Sequence, residues 1–314
     1  MKRYILKRII LLIPTLFLIS FIVFSIIRFL PGDVVKLMLS EQGYAGDVEE
    51  MYRLLGLDRP IYHQYIQYMK GALKGDLGKS LWSGRLVSQE ILQKLPATLE
   101  LALLSMLFAL LIAIPTGVIS AIRQDTWIDY LFRSISIGGL SIPGFWLGTM
   151  IVVFASIWYR WVPNIRYVAF FKDPVSNLSQ FTLPALIMGI ALAAGIMRMA
   201  RSMMLEILRE DYIRTAWSKG LREAVIIWRH ALKNAMIPVV TVMGLQISAL
   251  IGGTVIMESI FVLPGMGRYL LDAITWRDYP VIQGINLVLA SGIIFINLIV
   301  DVFYAFLDPR IRYR

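Results

Sequence analysis

Six long apolar runs constrain this chain more than any other feature of its sequence. They lie at about 9–30, 97–122, 133–158, 181–200, 238–262 and 281–306. A helix needs about 20 mainly apolar residues to cross a bilayer, and only helices and closed barrels satisfy every backbone polar group there. Hydrophobic residues make up 58% of the 314 residues and charged residues 17%. The runs therefore predict an all-α integral membrane protein with six transmembrane helices.

Positive charges are distributed unevenly among the segments between these runs. Lys and Arg concentrate at both termini and after the second and fourth runs, and they are sparse after the third and fifth. Short cytoplasmic loops carry an excess of Lys and Arg, so both termini are predicted to be cytoplasmic. The same sorting accounts for the net charge of +10 without a nucleic-acid partner.

The composition also limits the chemistry of the chain. The absence of cysteine excludes disulfides, thiolate chemistry and Cys-based metal sites, and two histidines leave little for another metal cluster. The segment from Gly75 to Ser80 superficially resembles a phosphate-binding loop, but that pattern requires glycine where Leu73 stands. We therefore predict no metal or cofactor on this chain and no ATP site of that kind.

Three regions follow from the order of the runs. Residues 1–30 form the first transmembrane helix, which we interpret as uncleaved because no small-residue cleavage site follows it. Residues 31–96 are predicted to be a small folded extracytoplasmic domain, because Val48–Leu55 and Tyr62–Leu73 are amphipathic. A loop without a fold of its own is the alternative. Residues 97–314 hold the other five helices.

Proline and glycine mark further boundaries. Pro115, Pro143 and Pro184 lie inside apolar runs and predict kinks or broken helices. Turn residues bound the amphipathic stretch Tyr269–Trp276 on both sides, which predicts a short outer-face helix between the last two runs.

One charged segment interrupts the apolar pattern. From Arg198 to Pro238 the chain carries eight basic and four acidic residues, so this segment cannot cross lipid. Gly220 is predicted to take a positive φ at a turn between two short helices. Such a turn would present a compact helix to another protein, and a merely solvated helical hairpin is the alternative.

The charged segment resembles the cytoplasmic coupling loop of permease subunits in ATP-binding-cassette (ABC) importers. The family signature is Glu-Ala-Ala with a glycine four residues later, and here those positions are Arg214-Thr215-Ala216 and Gly220. The Glu and the second Ala of this signature are missing, and so are the Ile and the Pro of its later part, Ile-x-Leu-Pro. These departures are similar to the dipeptide and oligopeptide branch, and so is the sequence His230-Ala-Leu-Lys-Asn234. Other segments similar to this branch are Gly75-Asp-Leu-Gly-Lys-Ser80, Pro264-Gly-Met-Gly-Arg268 and Arg277-Asp-Tyr-Pro280.

The resemblance implies a non-catalytic permease subunit that forms half of a translocation pathway for dipeptides or oligopeptides. It implies four kinds of neighbour: a second homologous permease subunit, two cytoplasmic ATPase subunits that hold ATP and Mg, an extracytoplasmic substrate-binding protein, and the lipid of a bacterial or archaeal cytoplasmic (inner) membrane. Nickel chelates, glutathione and oligosaccharides are alternative cargoes within the branch.

Two sets of site residues follow from the resemblance, with the coupling loop at about 201–237. The residues expected to contact the ATPase subunits are Arg214, Thr215, Ala216, Lys219, Gly220, Leu221 and Glu223. The residues expected to form an outer gate or to contact the binding protein are Glu258, Pro264, Gly265, Gly267, Arg268, Arg277 and Asp278.

An ion-coupled secondary transporter is the rival interpretation, and it would need charges near the membrane centre. Glu258 and Asp301 fall near the ends of their runs at about 1.5 Å of rise per residue, so the sequence favours an external energy source.

Gly244, Ser248 and Gly252 recur every four residues, which favours close packing within the chain or against a partner. The candidates for lining the pathway are uncharged polar residues, and polar bonding between helices is their alternative role. They are Ser141, Gln246, Ser248 and Asn286.

Overall fold

The computed structural model describes residues 2–29, 35–36, 48–54, 57–164 and 166–307. Within these ranges the chain forms helices and no β-strand, as the sequence predicts. The helices are α1 (Lys2–Phe29), α2 (Val48–Leu54), α3 (Ile61–Ala72), α4 (Val87–Ile122), α5 (Trp127–Ser141), α6 (Gly144–Tyr159), α7 (Pro174–Ile207), α8 (Asp211–Ser218), α9 (Glu223–Ile260), α10 (Met266–Trp276) and α11 (Tyr279–Leu307).

Four of the described helices are long and apolar enough to cross a membrane. They are α4, α7, α9 and the part of α11 at Tyr279–Val300. The pair α5 and α6 adds a fifth span if the two helices cross together, and the apolar stretch Ile10–Ser25 of α1 is shorter. The described residues thus contain four or five candidate spans, and the sixth stays a prediction. The side chain of Asp301 lies outside the described residues.

The third apolar run is broken, as its proline predicts. The helices α5 and α6 meet at a bend of 84°, where Ile142 is extended with φ −96° and ψ 117° and Pro143 precedes the first residue of α6. Proline disfavours the helical conformation in the residue before it and removes a backbone donor, which ends α5 at this point. By contrast, α4 and α7 continue through Pro115 and Pro184.

The chain divides into two compact units. The first, called unit 1, comprises Ala97–Pro264 and Phe295–Arg314. Its core is built on α7, whose residues Phe181, Ile187 and Met197 are buried. A Cβ at Gly189 would lie 2.8 Å from the Cβ of Phe108 on α4 and 2.9 Å from the Ser105 carbonyl oxygen. Glycine therefore permits the close approach of α7 and α4, the kind of packing that holds membrane helices together.

The second, called unit 2, comprises Lys2–Pro96 and Gly265–Ile294. Tyr65 of α3 packs its ring against three phenylalanines of α1 and shares a 2.9 Å hydrogen bond with the Ser20 hydroxyl, whereas Ile66 is 48% exposed. The predicted short helix between the last two runs is present as α10, and its Met266 and Leu270 join a buried cluster with the first turns of α4 and α11.

Candidate functional site

The charged segment of unit 1 is anchored by its apolar residues. In α8 the side chains of Ile213 and Ala216 are 0% and 8% exposed, and both join a buried cluster with Met204 of α7 and with Ile226 and Ala231 of α9. Near its start α9 contains one π-helical turn at Ile226–Ala231, the rare widened turn that is frequent at functional sites. The segment is therefore a packed extension of α7 and α9.

Gly220 ends α8 in the conformation that the sequence predicts. Its φ is +72°, its N–H donates to the Trp217 carbonyl at 2.9 Å, and the N–H of Leu221 donates to the Ala216 carbonyl at 3.3 Å. These two bonds form a Schellman motif, in which glycine takes the left-handed position because other residues are strained there. An added Cβ would meet no atom within 4 Å, so strain alone opposes a side chain at this position.

Six of the seven residues expected to contact ATPase subunits are exposed, and Ala216 is the buried exception. The side chain of Arg214 is 73% exposed and lies 3.1 Å from that of Asp211, which is 94% exposed, so this ion pair contributes little to stability. The small size of Ala216 serves the packing of α8 on its own chain. The exposed members of the set are Arg214, Thr215, Lys219, Gly220, Leu221 and Glu223.

A buried ion pair links this segment, through Arg201, to Asp129 of α5, and the sequence did not predict it. The guanidinium of Arg201 on α7 donates to both carboxylate oxygens of Asp129 on α5, at 2.8 and 2.6 Å. The Ser120 hydroxyl of α4 also donates to Asp129, and so does the N–H of Asp125, at 3.1 Å. Asp129 is fully buried, so the four bonds compensate a charge that would otherwise be costly. Both charges were visible in the sequence, but no periodicity pairs residues that are 72 positions apart.

The pathway candidates make short-range packing contacts. Gln246 lies beside Gly195, where a Cβ would be 2.7 Å from its Nε2. Ser141 in unit 1 and Asn286 in unit 2 donate to carbonyls one turn earlier in their own helices, and Ser248 is half-buried. These contacts fit polar bonding between or along helices, and a pathway role stays a prediction.

The small residues that recur every four positions on α9 differ in how they pack. Gly244 is buried against Val300, whose nearest atom would lie 2.5 Å from an added Cβ, whereas Gly252 has nothing within 4 Å. Packing within the chain thus explains the first of these positions.

Two of the residues expected to form an outer gate or to contact the binding protein belong to unit 1, near the end of α9. They are Glu258 and Pro264. Glu258 is fully buried and accepts a 2.7 Å hydrogen bond from the Thr98 hydroxyl of α4, while Pro264 is half-buried. Glu258 therefore joins α9 to α4 in this structure.

The outer candidates of unit 2 surround α10. Gly265 and Gly267 are buried at its start, Arg268 and Arg277 are half-buried, and Asp278 is buried. The Asp278 carboxylate accepts bonds from the Ser80 hydroxyl at 2.5 Å and the Leu81 N–H at 3.1 Å. Burial raises the pKa of Asp278, and the bond from Ser80 opposes that rise. Two segments 198 residues apart are joined at this carboxylate.

Comparison with known proteins gives a consistent result over the whole chain. Residues 113–313 match the family described as "Binding-protein-dependent transport system inner membrane component", and residues 1–102 match its N-terminal counterpart. The chain is 40% identical over 314 residues, all of both chains, to the glutathione transport system permease protein GsiC of Escherichia coli K12 and of Shigella dysenteriae serotype 1. The inward-facing MetNI methionine ABC transporter shares the fold, with a TM-score of 0.55 at 17% identity over 70% of this chain and 97% of that one.

Proposed function

The chain belongs to the family of inner membrane components of binding-protein-dependent transport systems, and on that basis we propose that it is a permease subunit of an ATP-driven ABC importer of peptides. It forms half of the translocation pathway and pairs with a second, homologous permease. Two cytoplasmic ATPase subunits supply the energy, and an extracytoplasmic binding protein delivers the cargo. In this proposal the chain crosses the cytoplasmic membrane six times, with both termini inside.

The observation that carries this proposal is that α8 exposes a polar face while its apolar face packs against α7 and α9. The outward residues Arg214 and Thr215 are exposed, so a partner can contact them, while Ile213 and Ala216 fix the helix to α7 and α9. A force on α8 therefore acts on packed helices of unit 1, including those joined by the pair of Arg201 with Asp129. A partner that closes and opens could in this way bias a rigid-body change of the permease.

The polar face of α8 can be tested without disturbing its apolar face. Arg214→Glu reverses the charge of a side chain whose partner Asp211 is itself exposed, so we expect unchanged abundance and melting of the chain. A reversed charge at an interface costs association, so we expect weaker copurification of the ATPase subunits and a fall of several-fold in peptide uptake. Ala216→Asp is a poorer test, because it would place a charge in the buried cluster of unit 1.

The matched control is Arg123→Glu. Arg123 is an exposed arginine on the turn between α4 and α5, on the same proposed side of the membrane. We expect this variant to retain ATPase binding and uptake. Wild-type values of both quantities in Arg214→Glu would show that the segment is only a solvated hairpin.

Glutathione is the second candidate cargo, because the relatives that are 40% identical are named glutathione transport permeases. The ligand bound to the purified complex with its binding protein can be identified by mass spectrometry. Uptake of a labelled dipeptide should be competed by unlabelled peptides, and not by glutathione. Competition by glutathione alone would overturn the peptide assignment while leaving the importer assignment intact.

A further inference from the structure

A small cavity in unit 2 combines aromatic walls with carboxylates. Its volume is about 190 Å³. The aromatic side chains that line it are Trp82, Tyr269 and Trp276, and the acidic ones are Glu90, Asp272 and Asp278. We call this cavity the aromatic pocket.

The two tryptophans of the aromatic pocket hold each other in place. The Trp82 Nε1 donates to the backbone carbonyl of Trp276 at 2.7 Å, and the two ring centroids lie 5.1 Å apart at an interplanar angle of 58°. Tyr269 already holds one cation, because the Lys94 ammonium lies 4.8 Å from its ring centroid. Fixed aromatic rings attract cations through the negative charge of their faces, so the walls suit a positively charged group.

The charges around the aromatic pocket favour the same kind of guest. Three carboxylates and one guanidinium, that of Arg85, line it. Glu90 is paired with Arg85 at 3.1 Å and with Lys94 at 3.7 Å, whereas the exposed carboxylate of Asp272 has no hydrogen bond or ion pair among the residues that the structure describes.

The electrostatic field at Tyr269 agrees with this balance. Burial raises the pKa of Tyr269 to about 12, and the carboxylates of Asp278 and Glu90 add to the rise while Arg85 opposes it. Carboxylates that raise the pKa of a phenol also stabilise a cation placed beside it.

The size of the aromatic pocket decides what can enter it. Whole small ligands occupy cavities of about 300–1,000 Å³, so a cavity of about 190 Å³ accepts one group of a larger molecule. We propose that the aromatic pocket receives the ammonium or guanidinium end of a lysine or arginine side chain from an extracytoplasmic protein. The side of the membrane comes from the proposed topology, but binding of the cationic group is independent of transport.

The test uses the full chain in lipid nanodiscs with 5-fluorotryptophan in place of its eight tryptophans. Fluorine NMR resonances of Trp82 and Trp276 are assigned with Trp82→Phe and Trp276→Phe, and unchanged resonances of the other six tryptophans show that each variant is folded. The probes are the N-acetyl methylamides of lysine and arginine, with the uncharged norleucine derivative as control. We expect saturable shifts of these two resonances with the cationic probes and none with norleucine.

Two further variants give opposite expectations. Asp272→Asn should weaken binding about tenfold, because it removes the unpaired carboxylate. Arg85→Gln should strengthen binding, because it removes a positive charge from the lining of the pocket. Absence of shifts, equal shifts with norleucine, or unchanged affinity in Asp272→Asn would overturn the proposal. Shifts caused by glycylglycine but not by the side-chain probes would overturn it in favour of a peptide amino terminus. None of these outcomes depends on the ATPase contact at α8, so the two proposals fail separately.

Discussion

Replacing Arg201 with methionine should destabilise unit 1 by about 3 kcal/mol. The substitution leaves the Asp129 carboxylate, which is 0% exposed, without the two bonds that Arg201 donates. Breaking a buried pair costs about 3–5 kcal/mol, and we take the lower end because Ser120 and the N–H of Asp125 still donate to the carboxylate. For a unit of this size about 1 kcal/mol moves the melting midpoint by about 2–4 °C, so we expect a fall of roughly 6–12 °C.

Replacing the other partner of the pair, Asp129, should destabilise unit 1 by less. Asp129→Asn removes the buried charge, and Arg201, whose side chain is 18% exposed, can reach water; we expect a loss of about 1–2 kcal/mol. Because the double variant leaves no unpaired charge, it should cost less than the sum of the two single changes, by about 1–3 kcal/mol.

The assay is thermal unfolding of the purified chain, followed by intrinsic tryptophan fluorescence. The control is Arg214→Met, which breaks the exposed pair with Asp211 and should shift stability by less than about 1 kcal/mol. If Arg201→Met melts like Arg214→Met, or if the two losses at the buried pair simply add, then the pair does not hold α5 to α7 in the way described.

Three other predictions concern the turn, the topology and pH. Gly220→Val should impair peptide uptake and ATPase copurification far more than Gly220→Asn, because asparagine tolerates the left-handed conformation that costs other residues about 1–2 kcal/mol; equal uptake in both variants would contradict this. A reporter that is active only outside the cytoplasm should be active when fused after Gly75 and silent after Lys219, and the reverse pattern would refute the orientation. Because burial raises the pKa of Asp278, the native chain holds this proton more tightly than the unfolded chain. The resulting stabilisation should be present below the ordinary pKa of 3.8 and lost as the pH rises through the pKa of the native chain. Melting temperatures measured across this pH range should show that Asp278→Asn lacks the dependence.

Features that depend on local backbone preference were predictable from the sequence. The apolar runs predicted helices, and Pro143 predicted the break between α5 and α6 because proline acts on the residue beside it. Gly220 predicted a turn with positive φ for the same kind of reason, since only glycine adopts that conformation without strain. The amphipathic stretch near Tyr269 likewise predicted α10. In each case the residues that determine the structure lie within a few positions of it.

Contacts between distant segments were decided only by the tertiary structure. The pairing of Arg201 with Asp129 spans 72 residues and that of Ser80 with Asp278 spans 198, and no period in the sequence links either pair. The inward position of Ala216 depends on which face of α8 meets α7 and α9, and the signature that named this residue does not contain that information. Helix formation is set by sterics and hydrogen bonds along the chain, whereas the choice of buried partners is set by how whole helices pack against each other.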